Sequence, residues 1–212
     1  MTNEPLFSVD AAVAHLRPAD AVLGRVIDEI GAFDWRQRSD PYLALIRTIL
    51  YQQLAGAAAS AIERRFYALF GGDGQPPPPE QLLAAADAEL RSAGISRQKA
   101  GYLRDLALHV VEGRLDFAAL PRLDDAEVTR RITAVHGLGE WSAHMFLMFH
   151  LGRPDVLPVG DLGMRHGMRI AYGLAQVPSP VEARAIGAPW APYRSVGSWY
   201  MWRVTEPVAQ DI

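Results

Sequence analysis

The sequence predicts an all-α fold, and three observations carry that prediction. Apolar residues recur at spacings of three and four through nearly every segment, no stretch sustains the period-two alternation of a strand, and capping residues stand where helices should begin. Asp20 caps a helix running through Val26 and Ile30 to Gly31. Asp40 followed by Pro41 starts another, since proline in the first turn gives up an amide that has no helical partner there. That helix is expected to be long, carrying Leu45, Ile49, Leu50 and Leu54 and continuing through Ala55 to Ala61, Phe66 and Phe70 until Gly71 and Gly72 stop it. Gly71 to Pro79 reads as a surface connection, with Pro76 to Pro79 extended. Further helices are expected over 80–93, 98–112, 125–135, 140–151, 162–174, 180–186 and 193–206, with a short turn near 116–120. Asp124 or Asp125 caps the third of these, and Ser179 caps the one starting at Pro180.

With 212 residues, 50% hydrophobic and 21% charged, the chain can bury a sizeable core. No repeat and no long polar linker divide it, which favours two lobes of one helical fold over two independent domains. No apolar run reaches the roughly 18 residues of a membrane span, and Met1 to Asp10 lacks the pattern of a secretory leader, so a cytoplasmic protein without membrane contact is expected. The absence of cysteine excludes disulfides, thiol nucleophiles and cysteine-ligated zinc or iron–sulfur clusters. A net charge of −3 argues against a general basic coat, but residues 130–212 hold 8 basic and 6 acidic groups, so a polyanion would meet that part more comfortably. Lys99 is the only lysine among 21 basic residues, which narrows any amine chemistry.

The segment Ile132-Thr-Ala-Val-His-Gly-Leu-Gly-Glu-Trp-Ser-Ala-His144 joins two helices through Gly137-Leu138-Gly139. Two glycines around one apolar residue allow a tight turn, send Leu138 into the core and bare the amides that open the next helix, where a phosphate can sit. Taken alone, such a pair of glycines also fits an ordinary helix-to-helix turn. Downstream, Leu157-Pro158-Val159-Gly160-Asp161-Leu162-Gly163 puts an acid at the start of another helix, where it serves at least as a cap.

These segments in this order resemble the helix-hairpin-helix superfamily of DNA glycosylases, and within it the 3-methyladenine DNA glycosylase II family. The resemblance runs from Pro41 onward and includes Ile49-Leu-Tyr-Gln-Gln-Leu-Ala55, Ala93-Gly-Ile-Ser-Arg-Gln-Lys-Ala-Gly-Tyr102, the hairpin, the Asp161 turn and Trp190-Ala-Pro-Tyr-Arg-Ser195. It implies the compact form of the fold without an N-terminal β-domain: one lobe of about 41–150, a second of about 1–40 with 151–212, and the active site in the cleft between them. It also implies a glycosylase of base excision repair acting on damaged double-stranded DNA, and a monomer is the expected state of a protein that wraps one face onto a duplex.

The resemblance makes Asp161 the catalytic residue, a role that suits a carboxylate beside a sugar developing positive charge. It puts Trp141 and Trp202 in the base pocket, where indole faces attract a cationic alkylated base by about 0.5–2 kcal/mol. Met145 falls where some relatives carry an aromatic pocket residue, which leaves deaminated, oxidised or N1/N3-alkylated bases open as substrates. Leu54 becomes the wedge that fills the gap of the flipped nucleotide, although its helical spacing alone suggests a core residue, and Gln53 becomes the contact to the orphaned base. Gly137, Leu138, Gly139 and Trp141 form the phosphate-binding hairpin, and the backbone carbonyls of Thr133, Val135 and Leu138 are candidates for a bound Na+ or K+. The lysine that bifunctional members carry two residues after the second hairpin glycine is replaced by Trp141, so lyase activity is not expected unless Lys99 or the N-terminus supplies the amine.

Arg97 and Lys99 are candidates for phosphate contact or for a solvated face. Trp190 and Trp199 read as core aromatics. His136, His144 and His150 lack acidic partners at ligand spacing, so no zinc or other catalytic metal is expected, and no cofactor is required. A non-catalytic DNA-binding module is the competing class, against which Asp161 argues, because a carboxylate beside a phosphate backbone weakens pure binding.

Overall fold

The computed structural model describes residues 7–34, 40–54, 56–72 and 74–205. Among them every regular element is helical: α1 Val9–Ala19, α2 Ala21–Ile30, α3 Pro41–Tyr51, α4 Gly56–Leu69, α5 Pro79–Ala84, α6 Asp87–Ser92, α7 Arg97–Val111, α8 Asp125–Thr133, α9 Glu140–Phe149, α10 Leu162–Ala171, α11 Pro180–Ile186 and α12 Arg194–Thr205, with 3-10 turns at Leu120–Arg122 and Ala188–Trp190. None of these helices is long and apolar enough to cross a membrane. The chain forms two compact units, Arg38–Phe146 and Met1–Gln37 with Leu147–Ile212, and the division falls within α9.

In Arg38–Phe146, α7 packs against α3, α5 and α6. Its buried Leu103, Leu106 and Ala107, with Leu45, Ile46, Ile49 and Leu50 of α3, make up much of the apolar interior. Asp40 caps α3 through the Leu43 amide at 2.9 Å, with Pro41 in the first turn. Asp124, and not Asp125, caps α8, through the Glu127 amide at 2.7 Å.

Two expected helices are broken. The helix from Pro41 ends at Tyr51 and resumes at Gly56, because Gln52 turns extended (ψ 129°) and Gln53 enters the left-handed region (φ 56°). The Leu50 carbonyl, which a continuous helix would pair with the Leu54 amide, instead accepts from Lys99, and that amide bonds Tyr51 at 3.3 Å. The helix expected over 80–93 divides at Ala85 and Ala86, where the Glu89 carboxylate accepts the Ala86 amide at 2.8 Å and Arg104 donates to the Ala85 carbonyl at 2.7 Å. Ala55 and Asp73, expected in the long helix and the connection after it, and Glu206, the expected end of the last helix, lie outside the described residues, as do residues 1–6 of the leader reading.

In the other unit, α10 and α2 pack on α12. Gly167 permits the closest approach, since a Cβ there would stand 1.8 Å from the Met201 carbonyl oxygen. Trp190 is fully buried against Gly197, and its indole donates to Asp20 Oδ2 at 3.0 Å; Tyr172 donates to the same oxygen. Asp20 Oδ1 meanwhile caps α2 through the amides of Val22 and Leu23 at 2.9 and 3.1 Å. Trp199 is buried as well, in keeping with its core reading. Helix α1 is absent from the sequence expectations, because only Ala12 and Leu16 are buried and Pro18, a residue that ordinarily ends a helix, stands in its last turn. Helices α8, α9 and α10 stop at Thr133, Phe149 and Ala171, short of the ends expected at 135, 151 and 174.

Candidate functional site

The hairpin between α8 and α9 is built from both its glycines. Gly137 sits at φ 86° with the Tyr102 ring so near that a Cβ would stand 2.2 Å from it, so conformation and space both require glycine. At Gly139 a Cβ would meet nothing within 4 Å, so glycine here leaves the approach to the first amides of α9 open. Leu138 is buried as expected. Its amide donates to the Val135 carbonyl at 3.1 Å, which leaves that oxygen a second lone pair. Asp105 accepts the His136 amide at 2.7 Å, and Gln52 donates to the Gly137 carbonyl at 2.7 Å.

Around the break between α3 and α4, Gln53 and Gln52 join Arg47, Thr48, Tyr51 and Trp141 in lining a cavity of about 540 Å³. Trp141, on the first turn of α9, is 47% exposed, and Met145, one turn further along, is half-buried. Leu54 is 38% exposed and therefore no part of the core that its spacing suggested. Two of these lining residues are tied together by Glu63, whose carboxylate accepts from the hydroxyls of Tyr51 (2.7 Å) and Tyr67 (3.2 Å) and pairs with Arg47 at 3.0 Å. Burial and the neighbouring Glu63 push the Tyr67 phenol up, so it stays a hydrogen-bond donor at neutral pH.

In the other unit, Asp161 and Trp202 come together. Asp161 is the N-cap of α10, its Oδ1 accepting the Met164 amide at 2.6 Å, and the Trp202 indole N–H donates to that same oxygen at 2.8 Å. The Trp202 ring lies 5.8 Å from that of Phe149. The carboxylate is thus held in orientation by a helix end and by an indole that the sequence reading assigned only to stacking.

Lys99 is turned onto the backbone rather than standing on a solvated face. Its amine donates to the carbonyls of Leu50 and Gln52 at 2.6 and 2.9 Å, and burial lowers it below the ordinary lysine value of 10.5. Arg97 remains exposed and lines a groove of about 570 Å³ with Gln98, Gly101, Tyr102 and His136. The histidines do have acidic neighbours: His136 lies 3.6 Å from Asp105 and His144 lies 3.7 Å from Glu140, one helical turn away. Among the described residues no three His, Cys, Asp or Glu side chains gather as a metal-binding group. Arg47, Tyr51, Gln52, Glu63 and Asp105 escaped the sequence reading. A signal existed only for Gln52, in the Gln-Gln pair before Leu54; the others act through partners distant in sequence.

Comparison with known proteins agrees with this geometry. The sequence pattern described as "HhH-GPD superfamily base excision DNA repair protein" matches residues 46–192. DNA-3-methyladenine glycosylase 1 of Schizosaccharomyces pombe is 30% identical over 208 residues, 96% of this chain and 91% of that protein. The structure of a Bacillus halodurans DNA-3-methyladenine glycosidase superposes with a TM-score of 0.84 at 37% identity, over 96% of this chain and 92% of that one. A 3-methyladenine DNA glycosylase of S. pombe in complex with abasic DNA superposes with a TM-score of 0.82 at 31% identity, over 91% and 95%. With most of its length matched in sequence and in fold, the chain belongs to the HhH-GPD superfamily of base excision DNA repair proteins.

Proposed function

We propose that the protein is a monofunctional DNA glycosylase that releases alkylated bases, of the 3-methyladenine and 7-methylguanine type, from duplex DNA and leaves an abasic site. The observation that carries this reading is Asp161, a carboxylate oriented by the α10 amide and the Trp202 indole at the position that the resemblance assigns to the acid. The names of the similar proteins support the substrate class.

The hairpin amides from Gly137 to Gly139 grip a backbone phosphate. Leu54 fills the gap left by the flipped nucleotide, Gln53 meets the orphaned base, and the indoles of Trp141 and Trp202 stack on the cationic lesion. Cleavage of the C1′–N bond sends its electron pair to the base. A base alkylated at N3 or N7 carries positive charge in the nucleotide and departs neutral, so no protein acid has to protonate it. The sugar takes up the positive charge, the Asp161 carboxylate stabilises it, water bonds to C1′, and Asp161 accepts the proton that water loses. Lys99 has its amine on two backbone carbonyls, which supports hydrolysis without lyase chemistry. Na+ or K+ on the carbonyls of Thr133, Val135 and Leu138, of which Val135 already accepts the Leu138 amide and keeps a second lone pair, would add positive charge beside the phosphate.

Arg47 favours a second substrate class. A guanidinium lining the same cavity as Trp141 donates hydrogen bonds to a neutral base with an oxygen acceptor, as in hypoxanthine.

The test is release of free base from methylated duplex DNA by wild type and by Asp161→Asn, with strand breaks scored before and after alkali. Asparagine retains capping while losing the charge. Expected are breaks only after alkali and a loss on the order of a hundredfold in the variant. Equal rates in the two proteins would refute the role of Asp161. Release of hypoxanthine in preference to methylated purines would replace the substrate class with the second one.

A further inference from the structure

Helix α7 turns one face, at positions 99, 102 and 105, toward two separate loops. Lys99 donates to the carbonyls of Leu50 and Gln52 at 2.6 and 2.9 Å, where α3 has no further amides of its own to offer them. A cation there also suits the negative end of the α3 dipole. One turn on, the Tyr102 ring lies against Gly137, and Gln98 donates to its hydroxyl at 2.6 Å. One turn further, Asp105 accepts the His136 amide at 2.7 Å. Gln52 then crosses directly between the loops, donating to the Gly137 carbonyl at 2.7 Å. Next in the chain is Gln53, the non-glycine residue with positive φ, at 56°, among the described residues. Such a conformation persists only where its surroundings over-determine it.

The geometry points to Lys99 and Gln52 as positioning residues that hold the Gln53-Leu54 wedge in register with the phosphate-gripping hairpin, an inference that rests on the glycosylase reading above. Register matters because the wedge must enter at the nucleotide whose backbone the hairpin holds, and misplacement by about 1 Å can cost on the order of a hundredfold in rate. The hairpin keeps its own anchors, Tyr102 and Asp105, when either tie is removed. Phosphate grip and wedge placement are therefore separable by mutation.

The experiment uses the full chain and Gln52→Ala, Gln52→Glu, Lys99→Met and Lys99→Arg. Glutamate matches glutamine in shape without a donor, methionine keeps the stem of lysine, and arginine can still donate to two carbonyls. Three quantities are read: affinity for undamaged duplex, single-turnover base release from methylated duplex, and fluorescence of 2-aminopurine opposite a tetrahydrofuran abasic analogue, which rises when a wedge unstacks it. For Gln52→Ala, Gln52→Glu and Lys99→Met we expect affinity for undamaged duplex within threefold of wild type, base release at least tenfold slower and most of the fluorescence rise lost. Lys99→Arg should recover at least half of both losses. Unchanged release and fluorescence would overturn the inference. So would parallel losses in all three quantities, because a general loss of structure does not separate grip from wedge. If wild type releases no base yet shows a fluorescence rise that the variants lose, the glycosylase reading falls and the positioning role stands. If wild type shows neither, both fall.

Discussion

Trp202 is one residue to which two roles are assigned. Its ring is assigned to the lesion, but its indole N–H is committed to Asp161 Oδ1 at 2.8 Å, beside the Met164 amide at 2.6 Å. Trp202→Phe keeps an aromatic face and deletes the donor, so it isolates orientation of the carboxylate from stacking. Base release should fall by roughly ten- to a hundredfold, since one hydrogen bond to a charged group contributes roughly 1.5–3 kcal/mol, with affinity for undamaged duplex unchanged. A wild-type rate in this variant would show that the indole does not orient the acid. Asp161 was legible as a residue because an acid before Leu162 caps a helix whatever else it does; its indole partner, 41 residues away, was not. Lys99 was misread for the same reason, since a lone lysine on a polar helix face is indistinguishable in sequence from one that caps a distant helix.

At the scale of elements, caps were legible and breaks were not. Asp20, Asp40, Asp124 and Ser179 each accept an amide within three residues, so the signal and its effect share one short stretch of chain. The break after Tyr51 depends instead on an amine 49 residues from Leu50, and the run of Leu and Ala around it favours helix. Asp20 does more than cap. Burial pushes its carboxyl up, but hydrogen bonds from Tyr172, Trp190, Leu23 and Val22 outweigh that and hold it below the ordinary 3.8. A lowered carboxylate adds stability that is complete above the unfolded value and lost as pH falls through the folded one. In Asp20→Asn, an amide nitrogen faces donors whichever way it turns. Thermal unfolding should therefore show wild type more stable at neutral pH, with that advantage shrinking below about pH 4. A difference independent of pH would mean that the charge of Asp20 plays no part.

For the whole molecule, a net charge of −3 and the grip proposed for the hairpin amides predict DNA binding with a small electrostatic share. On that reading side chains neutralise few phosphates, and log affinity against log salt should have a slope of about −2 to −4. A slope near −8 would reveal a basic surface that the charge count conceals. By itself the sequence determined the helical class, the helix starts capped by Asp20, Asp40 and Ser179, the tight turn at Gly137-Leu138-Gly139 and the acid at the head of α10, because periodicity, capping and backbone freedom act over a few residues. Only the tertiary structure decided that α3 stops at Tyr51, that Trp202 holds Asp161, and that Lys99 and Gln52 tie the end of α3 to α7 and the hairpin. Each of these depends on a hydrogen bond between residues about forty or more apart, and a partner at that distance leaves no mark on the local pattern until folding brings it near.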